Sequence, residues 1–270
     1  MTLSQRKLLE DLYTIHSPSG KEWHMIEFVT QYVASHLPDV LIEMDEMGNL
    51  YLTKGNPEGG YPTLVCHMDQ VQTERSQDFT VVEENGVLYG WSPSKGEHEG
   101  LGADDKNGMW VCLQCLERHE RLKVLMTVLE EKGIFGAKAA RMDFFKDSLY
   151  VLEPDRSGNS DFTISLRDFP CCSTDFITAI HNEKYSYHPV EGKGTDILAL
   201  LINGLSVSCT NISCGYYNPH KHDEYCIMAD LENCLAFIEH IISTLNTPYP
   251  FHLETETQRY VRQKGMRVTS

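Results

Sequence analysis

Acids and histidines that could hold metal ions recur in this chain at the ends of short apolar runs. His67-Met68-Asp69 follows the run Leu64 to Cys66. An imidazole that ligates a metal through one ring nitrogen needs its other nitrogen held, and a carboxylate two residues on can hold it. Gly102-Ala103-Asp104-Asp105-Lys106-Asn107-Gly108 leads into a helical pattern. Either Asp there suits a helix start, yet a carboxylate so placed also offers its two oxygens to two cations. Glu130-Glu131 comes directly after the strand-like run Val124 to Leu129. Adjacent side chains point differently, so one Glu can ligate while the other faces water as a general base; an acidic helix start is the plainer alternative. Asp155 closes another apolar run, and Asn218-Pro219-His220-Lys221-His222-Asp223-Glu224 follows a Gly-Tyr-Tyr turn. Together these segments supply a mixed nitrogen and oxygen set able to hold two divalent ions. Zinc is favoured, and manganese and cobalt are compatible. Cysteine is absent from these positions, which excludes a structural thiolate site.

The elements that must position these residues follow from periodicity. Helical spacing runs from Leu3 to His16 and stops at Ser17-Pro18-Ser19-Gly20; a second amphipathic helix runs from Trp23 to Leu37. Val40 to Met44 and Leu50 to Thr53 form a hairpin, as do Phe79 to Glu83 and Val87 to Trp91 around Glu84-Asn85-Gly86. Tyr61 to Cys66 is a short buried strand opening onto His67. Thereafter strands (123–129, 148–152, 161–166, 206–212) alternate with helices (107–119, 134–141, 174–181, 196–202, 229–245). This alternation predicts an α/β fold: a three-layer α/β/α sandwich with a mixed, largely parallel central sheet. The candidate ligands would then stand at strand ends, where open α/β sheets place their sites. With no repeat and no linker-like stretch, residues 1–270 read as a single catalytic domain, 247–270 being a polar C-terminal tail or an edge strand.

Composition narrows the field. The chain has 270 residues, 41% hydrophobic and 23% charged, enough to build a core and too apolar for a disordered chain. With 23 Lys+Arg against 39 Asp+Glu the net charge is −16, and no basic patch offsets it. That argues against nucleic acid and anionic lipid as partners. No apolar run is long enough to span a bilayer, and the N-terminus lacks the apolar core of a signal peptide. Nine cysteines, mostly inside apolar segments, fit reduced thiols in the cytoplasm. Cys112 and Cys115 lie in a helical pattern without a second pair, and read as core.

At this point the strings HMD (67–69), GLGADDKNG (100–108), EEKGIFGA (130–137), PDRSG (154–158), GKGTD (192–196) and GYYNPHKHDE (215–224) can be set side by side. In type, order and spacing the chain resembles the co-catalytic dizinc exopeptidases, the peptidase T and acylase-type group with the glutamyl and tetrahedral aminopeptidases. The steps between potential ligands are 37, 27, 24 and 65 residues, and the likeness covers roughly residues 5 to 245. The resemblance implies that Asp104 bridges two metals, that His67 and Asp155 complete one site, and that Glu131 and His220 complete the other. It implies Glu130 as general base and Asp69 as the residue orienting His67. Between His220 and His222, the family frame of Asn218-Pro219-His220 with a later acid favours His220. The implied reaction is hydrolysis of an amide bond of a small peptide, as an aminopeptidase or di/tripeptidase. The same site would also serve a deacylase of N-acyl amino acids, and a non-catalytic metal-binding protein is the reading from another class. Larger relatives carry an inserted lid domain, for which the intervals 155–194 and 67–104 are too short. Substrate contacts that relatives borrow from the lid would fall to Arg156, His181, His188, Asn218 or Lys193. By analogy, a homo-oligomer is compatible.

Overall fold

Residues 1–253 are described by a computed structural model of the chain. In chain order the elements are α1 (Leu3–Thr14), α2 (Trp23–His36), β1 (Val40–Met44), β2 (Leu50–Lys54), β3 (Tyr61–His67), β4 (Thr80–Glu84), β5 (Val87–Ser92) and β6 (Glu97–Glu99). There follow α3 (Ala103–Arg118), β7 (Leu122–Thr127), α4 (Phe135–Lys138), β8 (Ser148–Arg156), β9 (Asp161–Leu166), β10 (Phe169–Pro170) and α5 (Thr174–Ala179). The last are β11 (His188–Gly192), α6 (Asp196–Ile202), β12 (Cys209–Ser213), β13 (Tyr216–Tyr217), β14 (Tyr225–Ile227) and α7 (Met228–Thr244).

The central sheet runs β1-β2-β7-β3-β8-β12-β9-β10, with β11 on β9. Its middle is parallel, β7 to β3, β3 to β8 and β8 to β12; β1, β2 and β10 pair antiparallel with their neighbours, and β9 pairs antiparallel with β12 and β10 but parallel with β11. Strands β3 and β7 are buried at every position, which demands cover on both faces. Helix α3 packs on β3 and β8 between α1 and α7, and α6 packs on β3 and β12 beside α4. These layers make the expected α/β sandwich.

Most of the sequence-based elements hold, with the following differences among others. The hairpin β4–β5 does not join the central sheet; with β6, β13 and β14 it builds a second, five-stranded sheet. The helix expected over 134–141 shrinks to Phe135–Lys138, because Ile134 sits in the left-handed region (φ 61°) and a 3-10 turn takes over at Met142. Strand β8 continues past Pro154 to Arg156, since the register with β12 shifts there and Pro154 need not donate to the ladder. Of the expected C-terminal tail, residues 247–253 dock on the sheet, with Tyr249 N–H bonding Leu149 O (2.8 Å) and Phe251 N–H bonding Ser206 O (3.0 Å). Residues 254–270 lie outside the described residues. No helix among the described residues is long and apolar enough to cross a membrane.

Candidate metal centre

The site forms where the parallel strands end. His67 is the last residue of β3 and pairs in register with Thr127 at the end of β7, so the chain leaving β7 brings Glu130 and Glu131 beside the imidazole. Asp69 fixes that turn: its carboxylate accepts from the backbone N–H of Glu130 (3.0 Å) and Glu131 (3.2 Å) and from the Ser19 hydroxyl. Asp69 also approaches the His67 ring, and does so more closely through its backbone than through its carboxylate. His67 Nδ1 lies 3.1 Å from the Asp69 backbone carbonyl and 3.5 Å from its carboxylate. A carbonyl only accepts, so Nδ1 carries a proton and Nε2 is the ring nitrogen turned toward the site.

Asp104 stands at the centre. Its Oδ1 is 3.1 Å from His67 Nε2 and its Oδ2 is 3.1 Å from His220 Nε2. The expected helix start at Asn107 moves back to Ala103, but Asp104 and Asp105 have non-helical dihedrals, and a cis peptide joins them. Asp105 turns away, accepting from the N–H of His67 (3.2 Å) and Gly108 (3.0 Å). A side chain at Gly108 would lie 2.4 Å from both Asp105 Oδ1 and Pro154 O, so only glycine lets α3 come this close to β8. Asp155 is the penultimate residue of β8, with its Oδ1 3.6 Å from His67 Nε2; Asn211 holds it there, accepting from its N–H (3.3 Å) and donating to its C=O (2.8 Å).

Among the described residues, three overlapping groups of possible ligands have atoms within 4.8 Å of one another: His67–Asp104–Asp155, His67–Glu130–Glu131, and Asp104–Glu131–His220. Glu131 Oε1 is buried and, although 2.9 Å from His220 Nε2, has no hydrogen-bond partner among the described residues. Burial and neighbouring acids push the carboxyls of Asp155, Glu153 and Asp105 well up from their ordinary range, Glu130 to about 8 and Asp196 to about 7. His220 is pushed up to about 10 by its bond to Asp104 and by the Glu131 carboxylate beside it. For His67 burial works downward, but Asp155 and Asp104 outweigh it. An orphaned carboxylate oxygen amid crowded acids and two inward-facing imidazoles is a donor set fitted to divalent ions of borderline hardness.

A cleft of about 390 Å³ opens on this centre; Glu130, Arg156, Lys193, Thr195 and Tyr216 are among its walls. Of the expected substrate contacts, Arg156 is there but engaged with both carboxylate oxygens of Asp161 (2.8 and 3.1 Å). Lys193 lines it as well, whereas Asn218, His181 and His188 are not among its walls. Asn218 donates to Asp223 (2.9 Å), while His181, in the turn after α5, and His188, opening β11, are exposed. His222 is exposed beside a neighbouring cleft that shares His220. Several residues behind the site escape sequence reasoning. Glu153 accepts from Thr195 Oγ1 (2.6 Å), and buried Asp196 accepts from the Thr127 hydroxyl while its Oδ1 lacks a partner among the described residues. The only sequence signal for Glu153 was a charge inside an apolar strand; Asp196 is the first residue of α6, with Thr195 at its N-cap.

No protein-family model matches the chain. Over 84 residues, 31% of this chain and 23% of the relative, it is 37% identical to a protein described as a LysW-lysine/LysW-ornithine hydrolase from Pyrobaculum aerophilum. The chain therefore matches less than a quarter of that relative's length. Solved structures align over far more. Aminopeptidase PepT from Bacillus cereus superposes with a TM-score of 0.74 at 14% identity, covering 89% of this chain and 98% of that one. A tripeptidase from Staphylococcus aureus gives 0.71 at 14% identity, covering 90% and 98%. The TET1 peptidase of Pyrococcus horikoshii, which can assemble into a tetrahedron or a large octahedral shell, gives 0.61 at 16% identity, covering 88% and 99%. The structural neighbours are thus PepT, tripeptidase and TET peptidases, and the chain has the fold of these peptidases.

Proposed function

We propose that the chain is a dinuclear, most plausibly zinc-dependent, amide hydrolase that removes residues from an end of small peptides, an aminopeptidase or di/tripeptidase of the zinc exopeptidase family. One observation carries this reading: the two oxygens of Asp104 face two imidazoles from opposite sides, each imidazole shared with a further acid. His67, Asp155 and Asp104 would hold one ion, and Glu131, His220 and Asp104 the other; manganese or cobalt could stand in for zinc. Bound there, the ions would polarise the scissile carbonyl and acidify water. Glu130, aimed by the bond from its N–H to Asp69, takes a proton on its carboxylate from the attacking water and returns it to the leaving amine. The catalytic unit would be a single domain without a lid, working in the cytoplasm, where its nine free, buried cysteines would stay reduced. Assembly into a homo-oligomer, as for the TET neighbour, is part of this reading. A second reading is deacylation of an N-acylated amino acid; in its support, the Pyrobaculum aerophilum protein matched over 84 residues is described as a LysW-lysine/LysW-ornithine hydrolase.

The test is a panel of di- and tripeptides, with free or acetylated α-amines, incubated with zinc-loaded protein whose ion content is measured. Two ions per chain with cleavage confined to free amines is the expected result; cleavage of the acetylated members alone would transfer the assignment to a deacylase. Glu130→Gln should keep both ions and lose at least 100-fold in kcat. A protein that binds no ion overturns the reading.

A further inference from the structure

Glu224 lies four residues beyond His220 and is buried to 1% exposure. Its Oε2 accepts from the backbone N–H of Gly102 at 2.6 Å, and its Oε1 from the N–H of Asp104 at 3.1 Å. These are amides at the start of α3, which have no carbonyl of the helix to bond. Gly102, at φ 72°, makes the turn that presents them. A single carboxylate therefore ties the loop carrying the central Asp104 to the segment carrying His220.

The carboxylate is itself held from behind. Gln72 Nε2 donates to Glu224 Oε2 (3.4 Å), and Gln70 Nε2 donates to Gln72 Oε1 (3.0 Å). Lys106 Nζ, fully buried and without an ion-pair partner among the described residues, donates to Gln70 Oε1 and to Ile15 O, both at 2.6 Å. From the other side the Arg75 guanidinium donates to the carbonyls of Gly100 (3.2 Å) and Leu101 (3.3 Å). The loop from 100 to 104 is gripped by its carbonyls through Arg75 and by its amides through Glu224. Of the residues in this network only Asp104 lines the cleft; Glu224 meets it through the backbone N–H and is not itself among the cleft walls.

We infer that Glu224 is a positioning residue for the ion held by Asp104, Glu131 and His220, fixing Asp104 relative to His220 so that the two can share one cation. The inference rests on the dinuclear reading above. Its chemistry is geometric. A carboxylate accepts from both amides, whereas the isosteric glutamine would turn an NH2 group against one of them and release that end of the loop. The ion on the His67 and Asp155 side depends less on this tie, because those ligands sit on β3 and β8 within the central sheet.

The experiment is zinc titration of the whole chain against a chromogenic chelator, for wild type, Glu224→Gln and Glu224→Asp, together with cobalt(II) absorption spectra. Glu224→Gln should bind one zinc with near wild-type affinity and the other 10–100-fold more weakly, with the spectrum of the second cobalt equivalent altered. Glu224→Asp, which keeps the buried charge but is shorter by one methylene, should fall between and carries the comparison if the Gln variant does not fold. A residue that merely stabilised the fold would lower the melting temperature and leave both affinities and the spectrum unchanged; that outcome overturns the inference. A wild type that binds fewer than two ions overturns the dinuclear reading, and this inference with it, whereas wild-type stoichiometry with unchanged variants overturns this inference alone.

Discussion

The Asp69 carboxylate accepts three hydrogen bonds, from Ser19, Glu130 N–H and Glu131 N–H, and so sets the direction of both glutamates at once. Asp69→Asn should therefore harm the turn after β7 more than the His67 ring, which the backbone carbonyl of residue 69 still holds. The expected outcome is a 10–100-fold loss of zinc affinity with a parallel fall in kcat, read by chelator competition and peptide assay. Ser19→Ala, removing one of the three donors, should cost less than Asp69→Asn; equal effects would show that the turn is not what matters. This role is hard to read from sequence. An H-x-D string suggests a carboxylate on an imidazole, and nothing local shows that the acid instead caps a turn 61 residues on. His67, Asp104, Glu131, Asp155 and His220 were singled out by the family resemblance of their strings taken together, since each string alone has a plainer alternative. Glu153 and Asp196 were not, because their partners, Thr195 and Thr127, come from distant elements.

Among the elements, the central strands were readable because unbroken apolar runs bounded by turn residues leave little choice. The destination of the β4–β5 hairpin was not, since its partner β14 lies well over a hundred residues away and carries no pattern of its own. Glu99, on β6 of the second sheet, holds the loop before that hairpin: it accepts from Ser76 N–H (3.0 Å), the Ser76 hydroxyl and Lys95 Nζ (2.6 Å). Burial raises its carboxyl, but Lys95 and Ser76 more than compensate and hold it down at about 2. A carboxyl lower in the folded than in the unfolded chain stabilises fully above the unfolded value, and the stabilisation is lost as pH falls toward the folded one. Glu99→Gln should therefore lower the melting temperature at pH 7, by an amount that shrinks steadily between pH 4.5 and 3. Thermal melts of both proteins at pH 7, 4.5 and 3 check this; a deficit independent of pH would mean that packing, not charge, holds the loop.

For the whole molecule, the dominant feature is negative charge drawn inward: Asp104, Asp105, Glu153, Asp196 and Glu224 are all buried in a chain of net charge −16. Acids in that number repel one another and lose hydration, a cost that two bound dications would offset. Zinc should then raise the melting temperature strongly. At a free concentration of about 1,000 times the dissociation constant, each site contributes about 4 kcal/mol, equivalent to a shift on the order of 10 °C for a domain of this size. Asp155→Asn separates repulsion from ligation. Its carboxyl lies among Asp104, Glu130 and Glu153, and burial with these neighbours already pushes it up. Removing that charge should leave the metal-free protein at least as stable as wild type, while cutting the zinc-induced shift by about half. Calorimetric melts in chelator and in buffered zinc distinguish the outcomes. A variant less stable than wild type in chelator, with an undiminished zinc shift, would show that Asp155 serves packing rather than the ion.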